Sequence, residues 1–219
     1  MNFDPEEREL REKLAETAVR AYRRGLVSGA GGNVSARLPG RNQVLITATG
    51  VSLELTTVES IVKTDLYANP ADPGSPYRPS KETGFHCAVY RARPEVNAIV
   101  HVHPPYATAF SLRNRELPLV TVSASVVLST VPCIDVALSG SAELCSYVEE
   151  AFSVHRSAKA ILMRAHGIVA TGPNLIVAYD VADLVEATAR IAYLSAGLGI
   201  PLEESVEVAF RPLPQPTRG

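Results

Sequence analysis

Apolar and polar positions change rhythm repeatedly along this chain, and each rhythm predicts an element. From Pro5 to about Gly25, Leu10, Leu14, Ala18 and Ala21 recur at helical spacing, and Gly25 can end the helix. SGAGGNVSAR, Ser28 to Arg37, reads as a Gly-rich turn entering a short alternating strand. QVLITATG, Gln43 to Gly50, is a second strand ending in a Thr-Gly turn, and IVKTDLYANP a third, closed by Asn69-Pro70. A Pro/Gly-rich connection follows from Ala71 to Pro79, expected to be exposed and shaped around a site or an interface.

In the second part of the chain a helix is expected from Ser80, carrying Phe85, Ala88, Val89 and Ala92 on one face and stopped by Pro94. VNAIVHVH is an apolar, β-branched run and reads as a buried strand ending at Pro104-Pro105. A helix near Tyr106–Arg113, short strands near Val120 and over Val131–Val136, and a helix over Ala142–Phe152 come next. AKAILMRAHGIVATG reads as strand, His-Gly turn and strand; Asn174 to Gly197 is the longest helical pattern. The segment from residue 211 to 219 is a Pro-rich tail. Strands and helices alternate, yet several connections are too short for helical crossovers, which predicts a mixed sheet flanked by helices. No linker divides residues 1–219, so one domain is expected.

Composition narrows the function classes. A formal net charge of -2, with both signs mixed along the chain, leaves no electrostatic footprint for nucleic acid or an anionic membrane. No apolar run approaches the about 18 residues of a membrane span. The opening MNFDPEERELREKL is charged where a signal peptide has its apolar core. Cys87, Cys133 and Cys145 form no C-x-x-C pair, so neither a disulfide framework nor a thiolate metal site is expected, and Cys87 reads as a buried structural thiol. A cytoplasmic protein is the expectation.

The sharpest chemical feature is His101-Val102-His103. On a strand, residues i and i+2 share a face, so both imidazoles converge, and the apolar Ile99, Val100 and Val102 would keep them neutral. Two unrelated core histidines would have the same spacing. His166, just before Gly167 at a turn, offers a third imidazole; three neutral rings suit Zn²⁺ and leave a coordination position open. Glu82, at a helix start, is a candidate fourth member, although a carboxylate there can also simply cap the helix. His86, at i+4 from Glu82, reads as its partner or as a solvated residue rather than a ligand, and His155 as an exposed loop residue. Gly29, Gly31 and Gly32 beside Asn33, the Thr47–Gly50 turn, and Pro79–Glu82 with Lys81 suggest an anion site, while P-loop and dinucleotide fingerprints are absent.

SGAGGNVSAR, TATG, PSKE, HCAVYRARPEVNAIVHVHPPYATAFS and AHGIVATG resemble, in order and spacing, the class II aldolase/adducin family. Its enzymes include L-fuculose-phosphate aldolase and L-ribulose-phosphate 4-epimerase, and the resemblance runs from about Leu10 to Gly197. It implies a three-layer α/β/α domain with a largely antiparallel sheet, a homotetramer, and Zn²⁺ or another divalent metal such as Mn²⁺. It implies His101, His103, His166 and Glu82 as metal ligands, with Glu82 leaving the metal to act as acid/base. Gly32, Asn33, Thr49, Gly50, Ser80 and Lys81 would hold the phosphate of a small phosphorylated sugar or sugar acid. The implied reaction is carbon–carbon cleavage through a metal-stabilised enediolate, with decarboxylation of a phosphorylated 3-oxo sugar acid, 4-epimerisation and a non-catalytic adducin-head role as alternatives. Two departures bear on that choice. PSKE places Lys81 where the sugar-phosphate aldolase has a second serine, which resembles the decarboxylases. The aldolase's acid/base tyrosine falls near Thr121-Val122, where this chain has none, with Tyr106 the available substitute.

Overall fold

A computed structural model describes residues 3–199, so the Pro-rich tail expected over 211–219 lies outside the described residues. The elements run α1 (Pro5–Arg23), β1 (Asn33–Arg37), β2 (Gln43–Ile46), β3 (Val62–Asp65), α2 (Thr83–Ala92), β4 (Ala98–Val102) and α3 (Pro105–Ser111). They continue with α4 (Val122–Leu128), β5 (Cys133–Ile134), α5 (Ala142–Val154), β6 (Ala160–Met163), β7 (Gly167–Gly172) and α6 (Leu175–Ala196). Side-chain caps set several starts: Asp4 accepts from the Glu7 N–H ahead of Pro5, Ser141 from Leu144, and Asn174 from Val177.

The strands form one seven-stranded sheet in the order β3-β2-β1-β4-β7-β6-β5. Every pairing is antiparallel except β5 with β6. One face packs against α1, α3, α4 and α6, the other against α2 and α5. The expected mixed, largely antiparallel sheet between helical layers is thus the observed architecture.

One element differs from expectation. No strand forms near Val120; the chain there is irregular and then enters the helix α4. The run VTVSASVV carries both a two-residue and a four-residue rhythm. The Thr121 hydroxyl accepts from the Ala124 N–H at 3.2 Å, and Ala124 and Leu128, four apart, both enter the core. The cap and the helical pair outweigh the β-branched content, leaving Val122 and Val126 exposed. Among the described residues no helix is long and apolar enough to cross a membrane.

Strand alternation decides where chemistry can sit. In β4, Ala98, Val100 and Val102 face the α6 side, whereas Ile99 and His101 face α2. In β1 the same parity puts Asn33 and Ser35 on the α2 side, and the register pairs Asn33 with His101. Polar side chains are thereby assembled under α2 without breaking the larger apolar layer opposite.

Far from that cluster, α1 is tied to the β3 edge by a buried ion network. Arg11 has no exposed side-chain surface; it donates to Glu7 at 2.8 Å and Asp72 at 2.9 Å, and also to the carbonyls of Val58 and Ile61. Removing one partner of such a set strands the others in a dry environment. Arg11→Met should therefore lower unfolding stability by about 3 kcal/mol, read as a fall in the urea midpoint with the slope unchanged.

Candidate metal centre

Three segments bring imidazoles to one point. His101 is the last inward residue of β4, His103 follows the strand end, and His166 sits in the turn between β6 and β7. One ring nitrogen from each lies within 4.8 Å of the others, a group that could hold a metal ion. The strand alone does not make the arrangement, since β4 ends at Val102; Pro104 and Pro105 turn the chain into α3 directly behind His103. Glu186 of α6 accepts from the backbone N–H groups of Tyr106 and Ala107 at the start of α3. Ser111, near the end of α3, accepts from the Ala165 N–H at 3.0 Å, tying the His166 turn to the same helix.

Close backbone approach completes the frame. Ala165 takes a left-handed conformation, φ 55°, in the turn that presents His166. At Gly167 an added Cβ would strike the Val102 carbonyl and lie 2.7 Å from the His103 ring. Only glycine fits between the two histidine-bearing segments.

Hydrogen bonding sets which ring nitrogen is free. His101 Nδ1 lies 2.9 Å from the Ile168 carbonyl, which can only accept, so Nδ1 carries the proton and a neutral ring presents its Nε2 lone pair. That Nε2 is 3.0 Å from His103 Nε2 and 3.1 Å from Glu82 Oε2. Lone pairs that close repel unless a cation, a proton or a metal ion, lies among them. The donor set of three ring nitrogens and a carboxylate is one that a divalent cation satisfies.

Glu82 occupies the middle of this cluster and is buried. It is the residue just before α2, but its side chain makes no capping hydrogen bond, so the bland capping reading of the sequence does not describe it. Oε2 faces His101 and accepts from Asn33 Nδ2 at 2.8 Å; Oε1 faces His166 at 3.3 Å and accepts from Ser139 at 2.6 Å. Burial pushes the Glu82 pKa up, but the close contacts with His101 and His166 and the Ser139 hydroxyl outweigh it, holding the carboxyl well below its usual range. Burial, aided by the neighbouring rings, pushes His103 down to about 3, which keeps it neutral.

The segments expected to bind an anion lie side by side. Thr47 N–H donates to Val34, Ser80 N–H to Thr47, and Thr49 N–H to Arg78, lacing the turns at Gly32, Thr49-Gly50 and Ser80-Lys81 together. Thr49, Gly50 and Lys81 are exposed or border the surface, while Ser80 is buried with its hydroxyl accepting from the Glu82 N–H. The Asn33 amide is turned inward, engaged by Glu82 on one end and His86 on the other.

Several sequence readings change. His86 is fully buried and makes no direct bond to Glu82, so it is neither a solvated residue nor the glutamate's partner; it bonds Asn33 and Ser35. Tyr106 packs along α6 beside Tyr193 and Arg190. His155 is exposed at the end of α5, as expected. Cys87 is buried with its thiol pushed up to about 11 by burial, consistent with a structural role. Ser139 and Glu186 were not legible: one lies in an ordinary-looking ALSG loop, the other among helical charges.

The chain matches the family model for the Class II Aldolase and Adducin N-terminal domain over residues 12–193. It is 36% identical over 207 residues to the L-fuculose phosphate aldolase of Haemophilus influenzae, covering 92% of each chain. Among solved structures, an L-fuculose 1-phosphate aldolase superposes with TM-score 0.81 at 27% identity, covering 88% of this chain and 89% of the other. The L-fuculose-1-phosphate aldolase of Thermus thermophilus superposes with TM-score 0.75 at 28% identity, covering 88% and 97% respectively.

Gly167→Ala forces the Val102–His103 segment away from the His166 turn. It should cost about 2 kcal/mol of stability and reduce bound metal, measured by denaturation and by elemental analysis of the purified protein.

Proposed function

We propose that this chain, which belongs to the class II aldolase and adducin family, is a zinc-dependent lyase that cleaves a carbon–carbon bond of a small phosphorylated ketose. The observation that carries the reading is the Glu82 carboxylate buried among the ring nitrogens of His101 and His166, with His103 beside them. In this reading His101, His103 and His166 hold the metal, with Glu82 as a fourth ligand at rest. A divalent cation held there supplies Lewis acidity, which offsets the charge left on substrate oxygens as a carbon–carbon bond breaks.

Glu82 then acts as the acid/base. Two opposing influences set its proton affinity: burial raises it, and contact with the histidines lowers it. A Glu82 carboxylate that leaves the ring nitrogens while staying out of water loses the lowering influence and keeps the raising one. Its pKa then rises from where the histidines hold it, which makes it a stronger base. Asn33 on Oε2 and Ser139 on Oε1 limit where it can go.

Gly32, Asn33, Thr49, Gly50, Ser80 and Lys81 are the residues assigned to the substrate phosphate. Their adjacency through the Thr47, Thr49 and Ser80 backbone bonds supports this. Phosphate held there supplies binding energy remote from the breaking bond. A cytoplasmic homotetramer belongs to the same reading; the exposed Val122 and Val126 of α4 offer apolar surface for subunit packing.

Decarboxylation of a phosphorylated 3-oxo acid is the second reading. By the resemblance the aldolase tyrosine falls near Thr121-Val122, where this chain has none, and the observation that favours this reading is that the Thr121 hydroxyl is engaged in capping α4. Loss of CO₂ needs no group to deprotonate a departing aldehyde's hydroxyl.

With zinc bound, L-fuculose 1-phosphate or a related ketose 1-phosphate should release dihydroxyacetone phosphate, followed by coupled NADH oxidation. CO₂ release from a 3-oxo acid phosphate without any triose phosphate would replace the aldolase reading by the second. The double variant His101→Ala/His103→Ala should lose its zinc, and full metal retention would remove the centre from the reading. Glu82→Gln should lower kcat about a hundredfold or more, measured at matched zinc occupancy.

A further inference from the structure

Behind Glu82 a line of polar side chains runs into the layer between the sheet and α2. Asn33, Ser35, His86 and Tyr90 are all buried. Asn33 Nδ2 is 2.8 Å from Glu82 Oε2, Asn33 Oδ1 is 2.5 Å from His86 Nε2, His86 Nδ1 is 2.7 Å from Ser35 Oγ, and Ser35 Oγ is 2.7 Å from the Tyr90 hydroxyl. Phe85 stacks on the His86 ring, with centroids 4.6 Å apart, so the ring plane is also set.

The direction of every bond follows from its inner end. An ionised carboxylate only accepts, so the Asn33 amide must present its NH₂ to Glu82 and its carbonyl to His86. His86 must then carry its proton on Nε2. The ring is fully buried and bonds no carboxylate directly, so it is neutral and its Nδ1 is a lone pair that accepts the single hydroxyl proton of Ser35. Ser35, its proton committed, accepts from Tyr90. All the donors point toward Glu82, and no member can reverse without leaving two acceptors facing each other inside the protein, at a cost of about 1–3 kcal/mol.

We infer that His86 is a positioning residue for Glu82: through the Asn33 amide it aims an N–H at Oε2 and holds that oxygen opposite His101. The inference rests on the reading of Glu82 as metal ligand and acid/base. It assigns the line of side chains orientation and not proton conduction, because the Asn33 amide carries no exchangeable acid proton at working pH. The sheet supplies the geometry, since Asn33 and His101 are cross-strand partners and Ser35 lies two residues along the same face. Without His86 the Asn33 side chain is free to rotate, and Oε2 loses a neutral donor that does not compete for the metal.

Two measurements test it. In ¹⁵N-histidine NMR of the full chain at neutral pH, His86, assigned by its loss in His86→Gln, should show a protonated Nε2 and an unprotonated Nδ1. An Nδ1–H tautomer overturns the inference. This is read with or without zinc, so it stays decisive if the lyase reading fails. Second, His86→Leu should weaken zinc affinity in chelator competition by about tenfold or more and lower kcat with KM nearly unchanged. His86→Gln, which keeps an N–H toward Asn33, should recover most of both. If the two variants fall equally in affinity and kcat, or His86→Leu matches wild type in both, His86 does not position Glu82. Should His86→Leu fail to fold, the tautomer still decides.

Discussion

A carboxylate with almost no access to water is the constraint around which this domain is arranged. Glu82 is 4% exposed, and a charge so placed is tolerable only if most of its lone pairs are met. The groups around it come from separate parts of the chain: Asn33 at the start of β1 and Ser139 in the loop before α5 donate to it, while His101 at the end of β4 and His166 in the β6–β7 turn face it closely enough for a shared cation. Satisfying one buried group therefore couples the register of the central strands to the placement of two loops.

The rest of the scaffold removes freedom from those contributors. His101 cannot choose its tautomer, because the Ile168 carbonyl across the β4–β7 ladder fixes its Nδ1 proton. The segment after His103 is anchored by Glu186, which meets backbone N–H groups at the start of α3, and Ser111 at the far end of α3 holds the turn bearing His166. Burial pushes Glu186 toward its protonated form and the backbone hydrogen bonds oppose that, a balance reached at some cost for the sake of geometry. Gly167 lets the two histidine segments approach without a side chain between them. A site built this way is pre-arranged by packing and hydrogen bonding before any ligand arrives.

Membership of the class II aldolase and adducin family agrees with this construction. A hydroxyl from Ser139 and an amide ordered by His86 grip opposite oxygens of one carboxylate. One grip comes from a loop at the surface and the other from the buried layer beneath α2, so the two sides of Glu82 differ in how readily they can let go.

Much of this was legible in the residues alone. The helical rhythm of α1 and α6, the buried run of β4 and the His-Gly turn placed most elements, because periodicity reports directly which face is dry. The i, i+2 spacing of His101 and His103, with His166 and Glu82 as further candidates, pointed to side chains that the structure brings together. What remained hidden depended on partners distant in sequence. Thr121 turned an apparent strand into α4 through one hydroxyl and a pair of core contacts. His86 read as a partner for Glu82 or a solvated residue because it lies four residues from it on a helix, whereas β1 interposes Asn33 between them. Ser139 carries no local pattern that marks it. The sequence by itself determined which chemistry was available and which faces were apolar; only the tertiary structure decided which polar groups meet, since hydrogen bonds between strands and loops are set by register and turn geometry that no single segment encodes.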